Sequence, residues 1–141
     1  MKKILLAILL IIFSLVSKAV SKPNFIIIYL DDMGFSDVGL YKNEELKTPN
    51  IDKLSSEGQT WTNFYATSSV CTPSRAGLLT GRLPVRNGLY GDQIAVFFPG
   101  SNKGIPVEEV TIAEALQKDG YATGIFGKWH LGDKEEFLAL I

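Results

Sequence analysis

The stretch VCTPSRAGLLTGR, residues 70–82, carries the signals of a short helix. Thr72 suits the N-cap, Pro73 suits the first turn, and Gly81 follows the last helical residue. Together these residues predict a helix over residues 74–80. The same stretch holds the only cysteine of the 141-residue chain, which is thereby placed at a helix N-terminus.

This cysteine, Cys71, is a candidate reactive group. Unpaired backbone N–H groups and the helix dipole stabilise a thiolate at a helix N-terminus, and the same position binds oxyanions. Arg75, one turn further on, can bring its guanidinium to the same place, and the single histidine, His130, is the candidate base. A lone cysteine builds no disulfide framework, so the alternative is a buried inert thiol, and the residues alone leave both open.

Three apolar segments predict strands. Residues 24–30, NFIIIYL, form a continuous apolar run, which is typical of a strand buried on both faces. Residues 60–66, TWTNFYA, alternate in polarity, and residues 121–126, YATGIF, form the third segment. Residues 83–109, between the last two segments, are rich in Gly, Pro and Asn and predict an irregular surface excursion.

Two further helices are predicted from their end signals. The first has Thr48 as cap, Pro49 at its first position and Gly58 at its end. The second begins with the capping box of residues 111–114 and is closed by Gly120. The alternation of strands and helices predicts an α/β fold, with a mostly parallel sheet flanked by crossover helices.

Polar clusters follow the predicted strands, at the edge where ligands of such sheets collect. Asp31 and Asp32 follow the first strand, and two adjacent carboxylates suit a hard ion such as calcium or magnesium. Lys128 and His130 follow the third strand and share a face if the backbone is extended, so they can hold an anion and move a proton. The alternatives are a solvated turn for the aspartates, and a surface lysine and a core histidine for the other pair.

The N-terminus has the layout of a secretory signal peptide. A basic start precedes an apolar run over residues 4–16, and small residues follow at positions 17–19. The apolar run is shorter than the ~20 residues of a spanning helix, although a membrane anchor is the alternative. We therefore predict a signal peptide over residues 1–19, an exported periplasmic or secreted protein, and a mature domain over residues 20–141.

The charge pattern excludes one class of partner. The chain has 14 Lys and Arg against 15 Asp and Glu, with a formal net charge of −1. No basic run stands out, so we expect no nucleic acid partner and no binding to an anionic membrane surface.

Four stretches of this chain resemble the sulfatase family, of the arylsulfatase A type. They are PNFIIIYLDDMGFSDVG, TPNIDKLSSEG, FYATSSVCTPSRAGLLTGR and YATGIFGKWHLG, which together cover nearly all of the predicted mature chain. The resemblance implies the alkaline-phosphatase-like sulfatase fold, and it implies hydrolysis of a sulfate ester substrate.

The resemblance also implies a chemistry for Cys71. A sulfatase-maturating enzyme recognises the C-x-P-x-R run and oxidises the cysteine to formylglycine, which accounts for Pro73 and Arg75. The hydrated aldehyde is a geminal diol. One hydroxyl attacks the sulfur of the ester and the alcohol leaves. The second hydroxyl then loses its proton, sulfate is expelled and the aldehyde returns.

The remaining site residues follow by position in the same motifs. Asp31, Asp32 and the modified Cys71 are expected to ligate calcium in preference to magnesium. Lys128 and His130 are expected to bind the sulfate oxygens. Arg75 is expected to hold the formylglycine hydrate and the charges of the metal site.

The chain departs from the family pattern in its length. Sulfatases are several times longer and carry a second metal-ligand pair, usually Asp-Asn, whereas this chain contains no Asp-Asn dipeptide. We therefore expect an N-terminal part of a sulfatase catalytic domain with an incomplete sheet, inactive by itself. The alternatives are a phosphatase or phosphodiesterase of the same superfamily, which the single histidine argues against, and a non-catalytic anion-binding remnant.

The modification of Cys71 is directly testable. When the chain is coexpressed with the maturation enzyme, we expect the intact mass to fall by the change from a thiol to an aldehyde. The Cys71→Ala variant, treated in the same way, should show no such fall. A wild-type chain that keeps its thiol would count against the sulfatase hypothesis.

Overall fold

The computed structural model describes residues 22–41, 45–91 and 96–138. The chain divides into two units, Met1–Asp32 and Met33–Ile141, and each is described here by itself. The predicted signal peptide, residues 1–19, lies outside the described residues. Within the described ranges, no helix has the length and apolar character needed to cross a bilayer.

The second unit contains the helices of the described chain. The three α-helices are α1, Pro49–Glu57; α2, Cys71–Thr80; and α3, Ile112–Lys118. Short 3₁₀ turns span Phe35–Asp37, Gly39–Tyr41 and Glu135–Phe137.

Helix α3 confirms its predicted capping box. The Thr111 hydroxyl accepts a hydrogen bond from the Glu114 N–H at 3.2 Å, and the Glu114 carboxylate accepts one from the Thr111 N–H at 2.8 Å. At the other end, the Gly120 N–H donates to the Gln117 carbonyl at 2.8 Å, and Gly120 has a φ of 81°, which favours glycine. Local end signals therefore suffice to define this helix.

Helix α1 also has its predicted bounds, but its cap differs from the prediction. Thr48 occupies the N-cap and Gly58 the C-cap, yet the Thr48 side chain makes no capping hydrogen bond. Its hydroxyl instead accepts from the Gly39 N–H at 2.8 Å and donates to the Asp52 carboxylate at 3.0 Å. Thr48 thus joins the start of α1 to the 3₁₀ turn that begins at Gly39.

Helix α2 begins three residues before the predicted start at residue 74. Val70 is the N-cap in place of Thr72, and Cys71 is the first helical residue. The prediction of Thr72 as cap is wrong because its hydroxyl bonds to groups distant in sequence. The C-terminus is as predicted: Gly81 is left-handed, with a φ of 65°, and its N–H donates to the Gly77 carbonyl.

None of the three predicted strands is formed among the described residues, so the prediction of a parallel sheet is not realised there. A strand is stabilised by hydrogen bonds to a neighbouring strand and by layers that cover its faces. Ile26, in the first predicted strand, is 86% exposed, and Phe126, in the third, is 98% exposed. These segments therefore lack the covering layers that a buried strand requires.

The core of the second unit forms where α2 meets irregular segments. Its buried apolar residues are Ala76, Leu89, Phe97, Ile105 and Leu131, and Leu79 and Trp129 pack against them. The excursion over residues 83–109 is irregular where it is described, as predicted. However, it supplies core side chains and is not confined to the surface.

Truncation of a buried leucine should lower the free energy of unfolding more than truncation of an exposed one, because it leaves a cavity in the core. Leu131 is 0% exposed, whereas Leu54, on α1, is 63% exposed. We expect Leu131→Ala to lower the free energy of unfolding by about 2–5 kcal/mol, because it removes packed methyl groups and leaves a cavity. Urea titration followed by circular dichroism measures the change. The control Leu54→Ala should stay within about 0.5 kcal/mol, and equal effects would contradict this core assignment.

Candidate active site

The segment Lys128–Leu131 is fixed to the second unit through its backbone carbonyls. The guanidinium Nη1 of Arg75 donates to the Lys128 carbonyl at 2.7 Å, and the Thr72 hydroxyl donates to the His130 carbonyl at 2.9 Å. The Ile105 N–H donates to the Leu131 carbonyl at 2.7 Å. Two of these three donors lie on α2, so the start of that helix positions the segment.

The backbone of this segment is not regularly extended. Lys128 and His130 were expected to share a face only if it were, so that condition is not met. His130 has a φ of 57°, and the glycines on either side of the segment, Gly127 and Gly132, have φ values of 106° and 124°. A non-glycine residue in the left-handed region costs about 1–3 kcal/mol and persists where surrounding contacts hold it. The hydrogen bond from Thr72 to the His130 carbonyl is one such contact.

Cys71 and Lys128 are brought together, although 57 residues separate them. The Lys128 ammonium donates to the Cys71 sulfur at 3.4 Å. Cys71 is half-buried at the first position of α2, where the helix dipole adds positive potential. This position therefore favours a group that carries negative charge.

The imidazole of His130 has a defined hydrogen-bond partner. Its Nε2 lies 2.6 Å from the Phe97 carbonyl oxygen. A carbonyl only accepts, so Nε2 carries the proton, and in the neutral ring Nδ1 is left as an acceptor. Nδ1 is buried and has no hydrogen-bond partner within the described residues. The ring therefore offers one open acceptor position.

Arg75 and Trp129 support the segment from the core side. Arg75 is 9% exposed, and its bond to the Lys128 carbonyl holds the residue whose ammonium meets Cys71. Trp129 packs against the core, and its indole N–H donates to the Phe137 carbonyl at 2.9 Å.

Asp31 and Asp32, the predicted metal ligands, end the first unit. Both are exposed, and Asp32 has a φ of 52°. The chain thus leaves the extended region at Asp32 itself. Because strand alternation does not extend through Asp32, the two carboxylates are not forced onto opposite faces. Their oxygens are ligands of the kind calcium prefers.

Sequence reasoning missed two contributors to the site, Thr72 and Phe97. The Thr72 hydroxyl accepts from the Phe97 N–H at 3.1 Å while it donates to His130. Phe97 acts through its backbone N–H and carbonyl, which no local sequence pattern marks. Thr72 was assigned to a cap because its type and position fit one.

The arrangement gathers two features that suit an oxyanion: the N-terminus of α2 and the ammonium of Lys128 beside Cys71. The neutral His130 ring, whose Nδ1 is an acceptor, can receive a proton but does not donate to an anion through that nitrogen, so its expected role in binding sulfate oxygens stays a prediction. A helix N-terminus and a nearby cation stabilise negative charge on a bound group. Such a site can bind a tetrahedral anion next to the side chain at position 71.

Comparisons with known proteins agree with this chemistry. The family model described as Sulfatase matches residues 23–137. Bovine arylsulfatase A is 54% identical over 114 residues, which cover 81% of this chain and 22% of that protein. Human steryl-sulfatase is 48% identical over 118 residues, which cover 82% of this chain and 20% of that protein. The chain thus spans about a fifth of the length of the curated relatives it matches.

Solved structures share the backbone arrangement. The crystal structure of Ps i-CgsB matches with a TM-score of 0.70 and 39% identity, over 77% of this chain and 23% of that one. A Bacteroides thetaiotaomicron structure, described with the metabolism of multiple glycosaminoglycans, matches with a TM-score of 0.70 and 45% identity. That match covers 79% of this chain and 22% of that one.

The hydrogen bond from Arg75 to the Lys128 carbonyl should contribute measurably to the free energy of unfolding. We expect Arg75→Met to lower the free energy of unfolding by about 1.5–3 kcal/mol, because it removes a charge-assisted hydrogen bond and leaves a carbonyl without its donor. Urea titration gives the value. The control Arg86→Met alters an exposed residue and should stay within about 0.5 kcal/mol. Two equal losses would contradict the role given to Arg75.

Proposed function

Since this chain belongs to the sulfatase family, we propose that it carries the nucleophile and part of the anion-binding groups of a sulfuric ester hydrolase. The observation that carries the proposal is the contact between the Lys128 ammonium and Cys71 at the first position of α2. A sulfate ester brings negatively charged oxygens to the nucleophile. A cation and a helix N-terminus at that place are the groups that stabilise them.

The proposed nucleophile is a formylglycine made from Cys71. Its support is the run C-T-P-S-R at residues 71–75, together with the place of Cys71 at the first position of α2 beside the Lys128 ammonium. Formylglycine would supply a hydrated aldehyde: one hydroxyl would displace the alcohol of the ester at sulfur, and loss of the proton of the other would expel sulfate and restore the aldehyde. An exported location and a sulfatase-maturating partner are parts of this proposal.

Calcium is the proposed metal, and Asp31, Asp32 and the modified residue at position 71 are its proposed ligands. Adjacent carboxylates supply hard oxygen ligands and negative charge, which fits calcium. Calcium takes six to eight oxygen ligands, so these residues account for part of a complete set. The ion supplies Lewis acidity, which polarises a bound oxygen.

Each of the other residues has a role that its contacts support. Lys128 binds the sulfate oxygens through the ammonium that lies beside position 71. Arg75 acts through the Lys128 carbonyl and keeps that ammonium in place. His130 presents Nδ1 as an acceptor, because its Nε2 proton is held by the Phe97 carbonyl, and it can therefore receive a proton from a hydroxyl.

Turnover of a chromogenic aryl sulfate tests the proposal. Because this chain is expected to be inactive by itself, the complete sulfatase that is proposed to carry it as its N-terminal part is coexpressed with a maturation enzyme and assayed with calcium. We expect Cys71→Ala to lower kcat by on the order of 10³-fold or more, because the nucleophile is lost. We expect Lys128→Ala to lower kcat/KM by roughly 100-fold, because stabilisation of the transition-state charge is lost.

The controls separate this function from its alternatives. Lys103→Ala, an exposed lysine of the same unit, should leave turnover unchanged. Faster hydrolysis of the matching aryl phosphate would favour a phosphatase. Absence of turnover from a wild-type protein whose Cys71 remains a thiol would overturn the proposal.

A further inference from the structure

We propose that Thr72 is a positioning residue, whose single hydroxyl ties the nucleophile-bearing turn of α2 to His130 and fixes the tautomer of its imidazole. The catalytic consequence rests on the proposed function. The structural consequence does not, because it can be observed on the histidine itself.

Thr72 closes a ring of hydrogen bonds with two distant residues. Its hydroxyl donates to the His130 carbonyl at 2.9 Å and accepts from the Phe97 N–H at 3.1 Å. The His130 ring returns to the same residue, since its Nε2 lies 2.6 Å from the Phe97 carbonyl. Thr72 is 0% exposed, so no water replaces its hydroxyl without rearrangement of the core.

The ring of bonds explains the state of the imidazole. The Phe97 peptide is held on its N–H side by Thr72, and its carbonyl side receives the Nε2 proton. While Phe97 is held, the neutral ring keeps its proton on Nε2 and its lone pair on Nδ1. Without the Thr72 hydroxyl, the Phe97 N–H and the His130 carbonyl both lose their hydrogen-bond partner. The Phe97 peptide can then change its orientation.

Thr72 also couples two parts of the candidate site. It follows Cys71 directly on α2, and it holds the carbonyl of a residue in the left-handed conformation, His130. This hydroxyl therefore links the helical turn that carries residue 71 to the residue that carries the imidazole, beside the bond from Arg75 to the Lys128 carbonyl. Valine has a similar shape but cannot form these bonds, whereas serine can.

Nuclear magnetic resonance of the ring nitrogens tests the proposal. The chain has one histidine, so a long-range ¹H–¹⁵N spectrum of the labelled protein reports His130 alone. At a pH where the ring is neutral, we expect a protonated Nε2 and an unprotonated Nδ1 in the wild type. Thr72→Val should shift both nitrogens towards a mixture of tautomers, and Thr72→Ser should restore the wild-type values.

Thr80→Val is the matched control. It removes a hydroxyl from the same helix, where that hydroxyl donates to the Ala76 carbonyl and not to the site. Its spectrum should match the wild type. Unchanged nitrogen shifts in Thr72→Val would overturn the proposal. If that variant does not fold, the wild-type spectrum alone tests the assigned ring of bonds. A proton on Nδ1 of His130 in that spectrum would contradict it.

Turnover then separates this inference from the proposed function. We expect Thr72→Val to lower kcat by up to about 100-fold with little change in KM, since misplacement of a reacting group slows the chemical step. Thr72→Ser should recover most of the rate. A tautomer change in a protein without sulfatase activity would support the positioning role and overturn the proposed function. A full rate in Thr72→Val would overturn the catalytic part of the positioning role.

Discussion

The candidate site depends on hydrogen bonds from the first two turns of α2 to the backbone of Lys128–Leu131. Thr72 and Arg75 donate to carbonyls of that segment, and both side chains are buried. A buried carbonyl without a donor is costly, so these bonds define where the segment can lie. The meeting of Lys128 with Cys71 follows from them, because the segment carries the lysine and the helix carries the cysteine.

Helix ends could be predicted where their signals are local. The capping box of α3 and the glycine after α2 act within a few residues, so the sequence contains everything that they need. The start of α2 was wrong by three residues because Thr72 bonds to His130 and Phe97, which lie 58 and 25 residues away. The hydrogen-bond partners of Thr72 are therefore residues distant in sequence, which a local pattern does not include.

The strands and the site differ in how far residue types alone define them. The three segments were predicted as strands from their residue types, but a strand forms only with a neighbour, and Ile26 and Phe126 remain exposed. Within the site, Cys71 and Lys128 could be selected because their side chains are chemically reactive or charged. The contribution of Phe97 could not be predicted, because it comes from backbone atoms that every residue possesses. The metal role of the two aspartates stays a prediction.

The burial of the C-T-P-S-R run has a consequence for the order of events in biosynthesis. Pro73 and Arg75 are buried once α2 has packed, and Arg75 is then bonded to a carbonyl 53 residues further along the chain. A modifying enzyme that reads these two side chains therefore reaches them only on nascent or unfolded polypeptide. If Cys71 is converted as proposed, its conversion must precede the packing of this helix, because a chain that folds first conceals Pro73 and Arg75.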